Sequence, residues 1–212
     1  VKLHLKLNNE NGIYYNIAKP LSYNPFISLL IGGRGIGKTT SCLIYALSNF
    51  SSKGEQFVYL RRYTGEIASF RDKKSLDTIV DNVIYKGDGN KGLNIMIGDE
   101  TIGYAIALSK YLSYKSSDFS KVTTIIFDEM TIKVGSNIRY LVDEVTTFFE
   151  MISTIIRLRK NVRIFCIGNN ADLFCPLINY FKIPMNKQVY YDSEKRLYFE
   201  LCKTSDKLKD LE

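Results

Sequence analysis

The run Gly32-Gly33-Arg34-Gly35-Ile36-Gly37-Lys38-Thr39 reads G-x-x-x-x-G-K-T, a spacing suited to cradling a polyphosphate. Glycines at 32, 35 and 37 let the backbone turn and approach an anion without side-chain bulk. The N–H groups of the loop, and of the helix that Thr40 begins, point partial positive charge at the phosphates. Lys38 reaches the outer phosphates, and the Thr39 hydroxyl is placed to ligate Mg²⁺. Gly32 through Thr40, Gly33, Arg34 and Ile36 included, is the candidate nucleotide cradle.

A second group completes the chemistry. Val122-Thr123-Thr124-Ile125-Ile126-Phe127-Asp128-Glu129 is an apolar run that ends in two adjacent carboxylates. Asp128 is positioned to hold Mg²⁺, through water or Thr39, and Glu129 to polarise an attacking water. Transfer of phosphate to a small acceptor needs no such glutamate, so the pair argues for hydrolysis and against a phosphotransferase. The run from Val162 to Ile167 ends Gly168-Asn169-Asn170. An amide at that strand tip can sense the γ-phosphate or the water, which makes Asn169 a candidate, although asparagine beside glycine is also ordinary turn chemistry. Tyr23, just before the first core run, either lies against a base or packs on the domain edge.

These groups need a scaffold. Phe26 to Ile31 predicts a buried strand entering the glycine loop, and Thr40 to Phe50 a helix leaving it, with Leu43, Leu47 and Phe50 at near-helical spacing. Gln56 to Leu60 predicts a second strand, ending at Arg61-Arg62. Arginines there lie on the rim where open α/β sheets bind ligands. With Arg163 they are candidates for contact with phosphate, DNA or a neighbouring subunit, or they are solvated charges. Residues 64–82 read as a broken helix. Residues 83–85, 93–97 and 101–108 read as short antiparallel strands inserted in the main sheet. Asp99-Glu100 follows an apolar run, but Gly98 interrupts it, so the pair reads as a hairpin turn. Residues 137–157 predict a long helix whose apolar stripe runs into Arg157-Leu158-Arg159. Alternating leucines over 1–8 suit an edge strand. Pro176 and Pro184 bracket loop-like sequence, and 188–191 with 197–202 predict a closing hairpin. Residues 1–204 read as one domain, and 205–212 as a linker or the start of a C-terminal domain.

The bulk numbers narrow the classes. A net charge of +7 over 212 residues is compatible with an anionic partner. No apolar run approaches the ~20 residues of a membrane span, so a membrane is not an expected partner. The four cysteines show no zinc spacing, and Cys42 and Cys166 read as small core residues. The single histidine, His4, excludes His-based acid–base or metal chemistry. No guanine-recognition signature of the N/T-K-x-D type is present, which favours ATP.

Taken together, these residues resemble the ATPase domain of viral DNA-packaging motors, the phi29-type podophage family in particular. The resemblance is carried by Gly33 to Lys38, Gly54 to Tyr63, Thr123 to Glu129, Arg157 with Arg159, and Cys166 to Asn169. It implies Mg²⁺-dependent ATP hydrolysis driving double-stranded DNA into a capsid, a ring of subunits on a capsid portal, and action in the cytoplasm of an infected bacterium, transiently on the prohead. It also implies an arginine that works in the neighbouring subunit's site. Arg157 is the candidate, with Arg159 its competitor and Lys115 a second cation. The fold expected is α/β, an ASCE-type P-loop sheet. It is mainly parallel, with helices on both faces and one extra strand between those carrying Lys38 and Asp128. Rival readings are another nucleic-acid motor such as a helicase, or a nucleotide-dependent switch.

Overall fold

The computed structural model describes residues 2–6, 14–88, 92–133, 135–170 and 175–203. Its strands are β1 (Ile27–Gly32), β2 (Gln56–Arg61), β3 (Val83–Asp88), β4 (Gly92–Ile97), β5 (Glu100–Ala107), β6 (Val122–Phe127), β7 (Arg163–Asn169), β8 (Val189–Asp192) and β9 (Leu197–Cys202). Its helices are α1 (Ala18–Ser22), α2 (Lys38–Lys53), α3 (Thr64–Asp72), α4 (Glu144–Ile156) and α5 (Pro176–Phe181).

The strands form one nine-stranded sheet in the order β3-β4-β5-β2-β6-β7-β1-β9-β8. The six strands from β5 to β9 in that order pair parallel, and antiparallel pairs close both edges. Strands β1 and β6 are buried at every position, as a parallel sheet covered on both faces requires. Alternate residues feed two cores. Leu29, Ile31, Ile125 and Phe127 pack with Phe148, Met151, Ile152 and Ile155 of α4. Leu30, Ile126 and Phe165 pack with Leu43 and Leu47 of α2 and Ile67 and Phe70 of α3. Strand β7 lies between β1 and β6, the expected extra strand. All four cysteines are buried free thiols. Among the described residues no helix is long and apolar enough to cross a membrane.

Several expectations change. The short strands pair antiparallel within the main sheet as expected, and the last of them, β5, also pairs parallel with β2, so β4 and β3 form the sheet's edge. The turn at Gly98-Asp99 is present, with Ile97 opposite Glu100. At the N-terminus only an isolated bridge, Leu5 to Val80, takes the place of the edge strand among the described residues. The helix expected over 137–157 begins only at Glu144. Asp143 takes a left-handed backbone, and the Glu144 carboxylate accepts the Leu141 N–H instead of letting the helix continue upstream. Leu141 fits the helical period because it packs on the same core from a loop. Residues 176–181, read as a loop, form α5, capped by Cys175 and started by Pro176, a residue suited to the first helical position. Residues 204–212 lie outside the described part, so the linker reading has no structural counterpart.

Candidate active site

The glycine loop joins β1 to α2. Gly35 and Gly37 sit at φ +76° and +79°, a region that side chains rarely enter. A Cβ on Gly37 would also strike the ring of Tyr14, at 2.4 Å. The Tyr14 segment is tied to the loop by its neighbour. The Tyr15 N–H donates to the Ile36 carbonyl at 2.8 Å, and Ser41 Oγ donates to the Tyr15 carbonyl at 2.7 Å. Glu200 on β9 anchors the segment from the other side, accepting from Tyr15 at 2.7 Å and from Lys19 at 2.5 Å.

A cleft of ≈ 340 Å³ opens over this loop. It is lined by Tyr14, Arg34 to Thr40, Asp128, Glu129 and residues 167–169. Lys38 is buried, and its Nζ donates to the carbonyls of Gly32 at 3.0 Å and Gly33 at 2.7 Å. Burial lowers its pKa below the ordinary value of 10.5. Thr39 Oγ1 donates to Asp128 Oδ1 at 3.1 Å, so hydroxyl and carboxylate converge at the start of α2. Tyr59 donates to Asp128 Oδ2 at 2.8 Å. Burial, reinforced by the Asp128 charge, pushes the Tyr59 pKa well up and keeps it a protonated donor. Asn169 closes the far wall. Its backbone is held by Thr131, whose hydroxyl accepts the Asn169 N–H at 2.7 Å and donates to its carbonyl at 2.8 Å.

Glu129 follows β6 in a left-handed conformation, φ 55°. Its carboxylate pairs with Arg61 at 2.6 Å, and Arg61 also pairs with Glu66 at 2.8 Å and bonds the Tyr59 hydroxyl at 3.3 Å. Arg61 is therefore bound up in the site rather than presented to DNA. A second cavity of ≈ 330 Å³ shares Arg34, Glu129 and Asn169 with the first and is also lined by Thr131, Ile132, Lys133, Gly135, Ser136 and Ile138.

The sequence-derived residues divide into three groups. Lys38, Thr39, Asp128, Glu129, Asn169 and the loop come together in one cleft. Tyr23 does not join them. Its ring lies 5.2 Å from that of Tyr191 and 5.1 Å from that of Tyr198, outside the cleft lining. The aromatic at the cleft is Tyr14. Nothing in its spacing marked it, since its neighbour Tyr15 is tied to the loop through backbone groups.

The remaining cations sit elsewhere. Arg159 donates to the carbonyls of Phe119, Ser120, Val122 and Ile155, so it anchors the foot of β6 and is no free finger. Arg157 is exposed, and its one side-chain hydrogen bond among the described residues is to the Ser117 carbonyl, at 3.4 Å. Lys115 is exposed just before Ser117 in sequence, after the 3-10 segment Leu108–Tyr114. The foot of β6 is separated from Asp128 by the whole strand, about 20 Å at ~3.3 Å per residue. Arg163 donates to the Pro25 carbonyl and Asn24 Oδ1, at the foot of β1. Arg62 is 1% exposed and pairs with Glu144 at 2.6 Å, so it cannot meet DNA or a neighbour's phosphate.

Comparison with known proteins places the sequence and the fold among phage DNA packaging proteins. The DNA packaging protein of Bacillus phage phi29 is 33% identical over 192 residues, which cover 87% of this chain and 56% of that protein. The crystal structure of the N-terminal domain of the DNA packaging ATPase from bacteriophage phi29 matches with a TM-score of 0.72 at 30% identity, over 91% of this chain and 98% of that one. A chain of the bacteriophage phi29 viral genome packaging motor assembly matches with a TM-score of 0.69 at 30% identity, over 89% and 57%. The chain spans a little over half the length of the phi29 protein. Residues 9–209 match the family described as Podovirus DNA encapsidation protein (Gp16), and to that family the chain belongs.

Proposed function

We propose that the cleft binds Mg·ATP and hydrolyses it, and that this turnover drives double-stranded DNA into a preformed capsid. The observation that carries the reading is the 3.1 Å contact of Thr39 with Asp128 beside the buried Lys38 ammonium. A hydroxyl and a carboxylate at a helix N-terminus are hard oxygen donors that fit Mg²⁺, which uses one or two protein ligands and takes the rest from phosphate and water. Among the described residues no three His, Cys, Asp or Glu side chains form a metal cage, in keeping with a metal that comes with its nucleotide. Mg²⁺ held there would neutralise charge developing on phosphate oxygens.

The chain's own residues do the rest. Lys38 exchanges two loop carbonyls for phosphate oxygens. Glu129 takes the proton of the attacking water, which requires release from Arg61. Asn169 orients the water or the terminal phosphate, and Tyr14 offers a flat surface beside Gly37 for the base. Strand β7 between β1 and β6 supports the ASCE class of P-loop sheet.

The relatives support the wider role, since one is a DNA packaging protein and another is part of a genome packaging motor assembly. Partners of this chain are then double-stranded DNA, further copies of itself in a ring, and the capsid portal, in the cytoplasm of an infected bacterium. Arg157 reaches Ser117, before the foot of β6 and away from the residues lining its own cleft, which supports a role in another copy's cleft. The test is phosphate release from ATP, with and without Mg²⁺, DNA and a portal complex. Mg²⁺-dependent turnover stimulated by portal and DNA is expected. Nucleotide binding without turnover under every condition favours a switch, and portal-independent strand separation favours a helicase.

A further inference from the structure

We infer that Arg62 is a positioning residue for Glu129: it fixes the turn that presents the Glu129 carboxylate to the cleft. The inference rests on the reading of Glu129 as the group that polarises water. Glu129 has a left-handed backbone, φ 55°, which a non-glycine residue holds only when its surroundings impose it. Asp128 Oδ1 accepts the Glu129 N–H at 3.0 Å, and Arg62 restrains the carbonyl side of the turn. Its Nη1 donates to the Glu129 carbonyl at 3.2 Å and its Nη2 to the Met130 carbonyl at 2.9 Å. The same guanidinium forks onto Glu144, Nε to Oε2 at 2.6 Å and Nη2 to Oε1 at 2.8 Å. Its carbon lies 5.7 Å from the ring centre of Phe127 and 5.0 Å from that of Tyr140. Glu144 also accepts the Leu141 N–H at 2.9 Å. One guanidinium thus ties the end of β2, the turn after β6 and the first residue of α4.

A buried ion pair is by itself weak evidence of a role in stability. A buried ion pair replaced by well-packed apolar residues often leaves a protein as stable or more so. What apolar side chains cannot supply is a planar donor fork that holds two successive carbonyls while facing a carboxylate. Lysine cannot supply it either.

Two variants separate positioning from packing. Arg62→Met/Glu144→Leu removes both charges together. Arg62→Lys keeps the charge against Glu144 and loses the fork. Thermal unfolding, nucleotide Kd and kcat are measured for each in the full-length protein on portal and DNA. We expect Kd within about three-fold of wild type and kcat lower by about 10²-fold, the scale of a reacting group displaced by roughly 1 Å. A folded variant of either kind with wild-type kcat overturns the inference, as does a loss of Kd equal to the loss of kcat. If the double variant does not fold, Arg62→Lys decides. If the wild-type protein binds ATP and never hydrolyses it, the hydrolytic reading fails, and the anchoring is read from amide hydrogen exchange. Exchange at Met130, whose N–H donates to the Ile167 carbonyl at 2.7 Å, should then be about tenfold faster in Arg62→Lys, a local opening of the turn. Unchanged exchange overturns the anchoring.

Discussion

Arg61 Nη2 donates to the carboxylate of Glu129 at 2.6 Å and to that of Glu66 at 2.8 Å, so one nitrogen is shared between two acids. The two residues approach from the ends of neighbouring strands, β2 and β6, and meet over Asp128, whose Oδ2 lies 3.8 Å from Arg61. A glutamate in this contact has its charge partly spent before any water arrives, so the pair is a brake on the step proposed for Glu129.

The strength of that brake can be bounded. The Glu129 side chain is 44% exposed, and such pairs contribute roughly 1 kcal/mol or less. Arg61→Ala should therefore raise basal ATP turnover, by no more than about tenfold. Steady-state phosphate release checks this. A fall of about 10² or more would show that Arg61 assists the reaction.

Lys38 gives a pH dependence with two opposite signs. Its folded pKa lies below 10.5, so between the two values the unfolded chain binds more protons than the native one. Stability relative to Lys38→Met should then rise as pH climbs through that window. Nucleotide affinity should fall over the same range, because phosphate favours the ammonium. Denaturant titrations and Kd measurements from pH 7 upward check both limbs, and parallel movement of the two would contradict the assignment.

How much of this was legible beforehand follows from what each feature depends on. The glycine loop, Asp128-Glu129 and Asn169 were readable because each is a local pattern at the end of an apolar run, and the sheet delivers all three to one edge. The extra strand was readable for the same reason. Tyr14 was not, since its place depends on backbone bonds between Tyr15 and Ile36 that leave no mark on spacing. Arg61, Arg62, Arg157, Arg159 and Arg163 look alike in sequence. Their roles separate only when burial and partners are known: Arg62 is 1% exposed, and Arg159 is shared among four carbonyls. The start of α4 is hidden in the sequence because Leu141 satisfies a helical period while serving the core from a loop.

Arg157 and Arg159 should therefore behave in opposite ways. Arg159→Ala leaves carbonyls at the foot of β6 without their donor and should cost about 1–3 kcal/mol of stability. Arg157→Ala should change stability by less than about 0.5 kcal/mol, yet abolish turnover in the assembled motor. Mixing Arg157→Ala with Lys38→Ala subunits creates some interfaces where an intact cleft meets an intact arginine. Activity above either variant alone is expected. Co-assembled mixtures with none would place Arg157 outside the reaction.

The central claim is that this cleft divides its work, Lys38 for binding and Glu129 for the water. The most direct measurement pairs nucleotide Kd with single-turnover ATP hydrolysis for wild type, Lys38→Ala and Glu129→Gln. Glu129→Gln should bind within a few-fold of wild type and hydrolyse about 10²–10⁴ times more slowly, the span of a positioned base. Lys38→Ala should lose both binding and turnover. Wild-type hydrolysis by Lys38→Ala, or poor binding with unimpaired hydrolysis by Glu129→Gln, would contradict it.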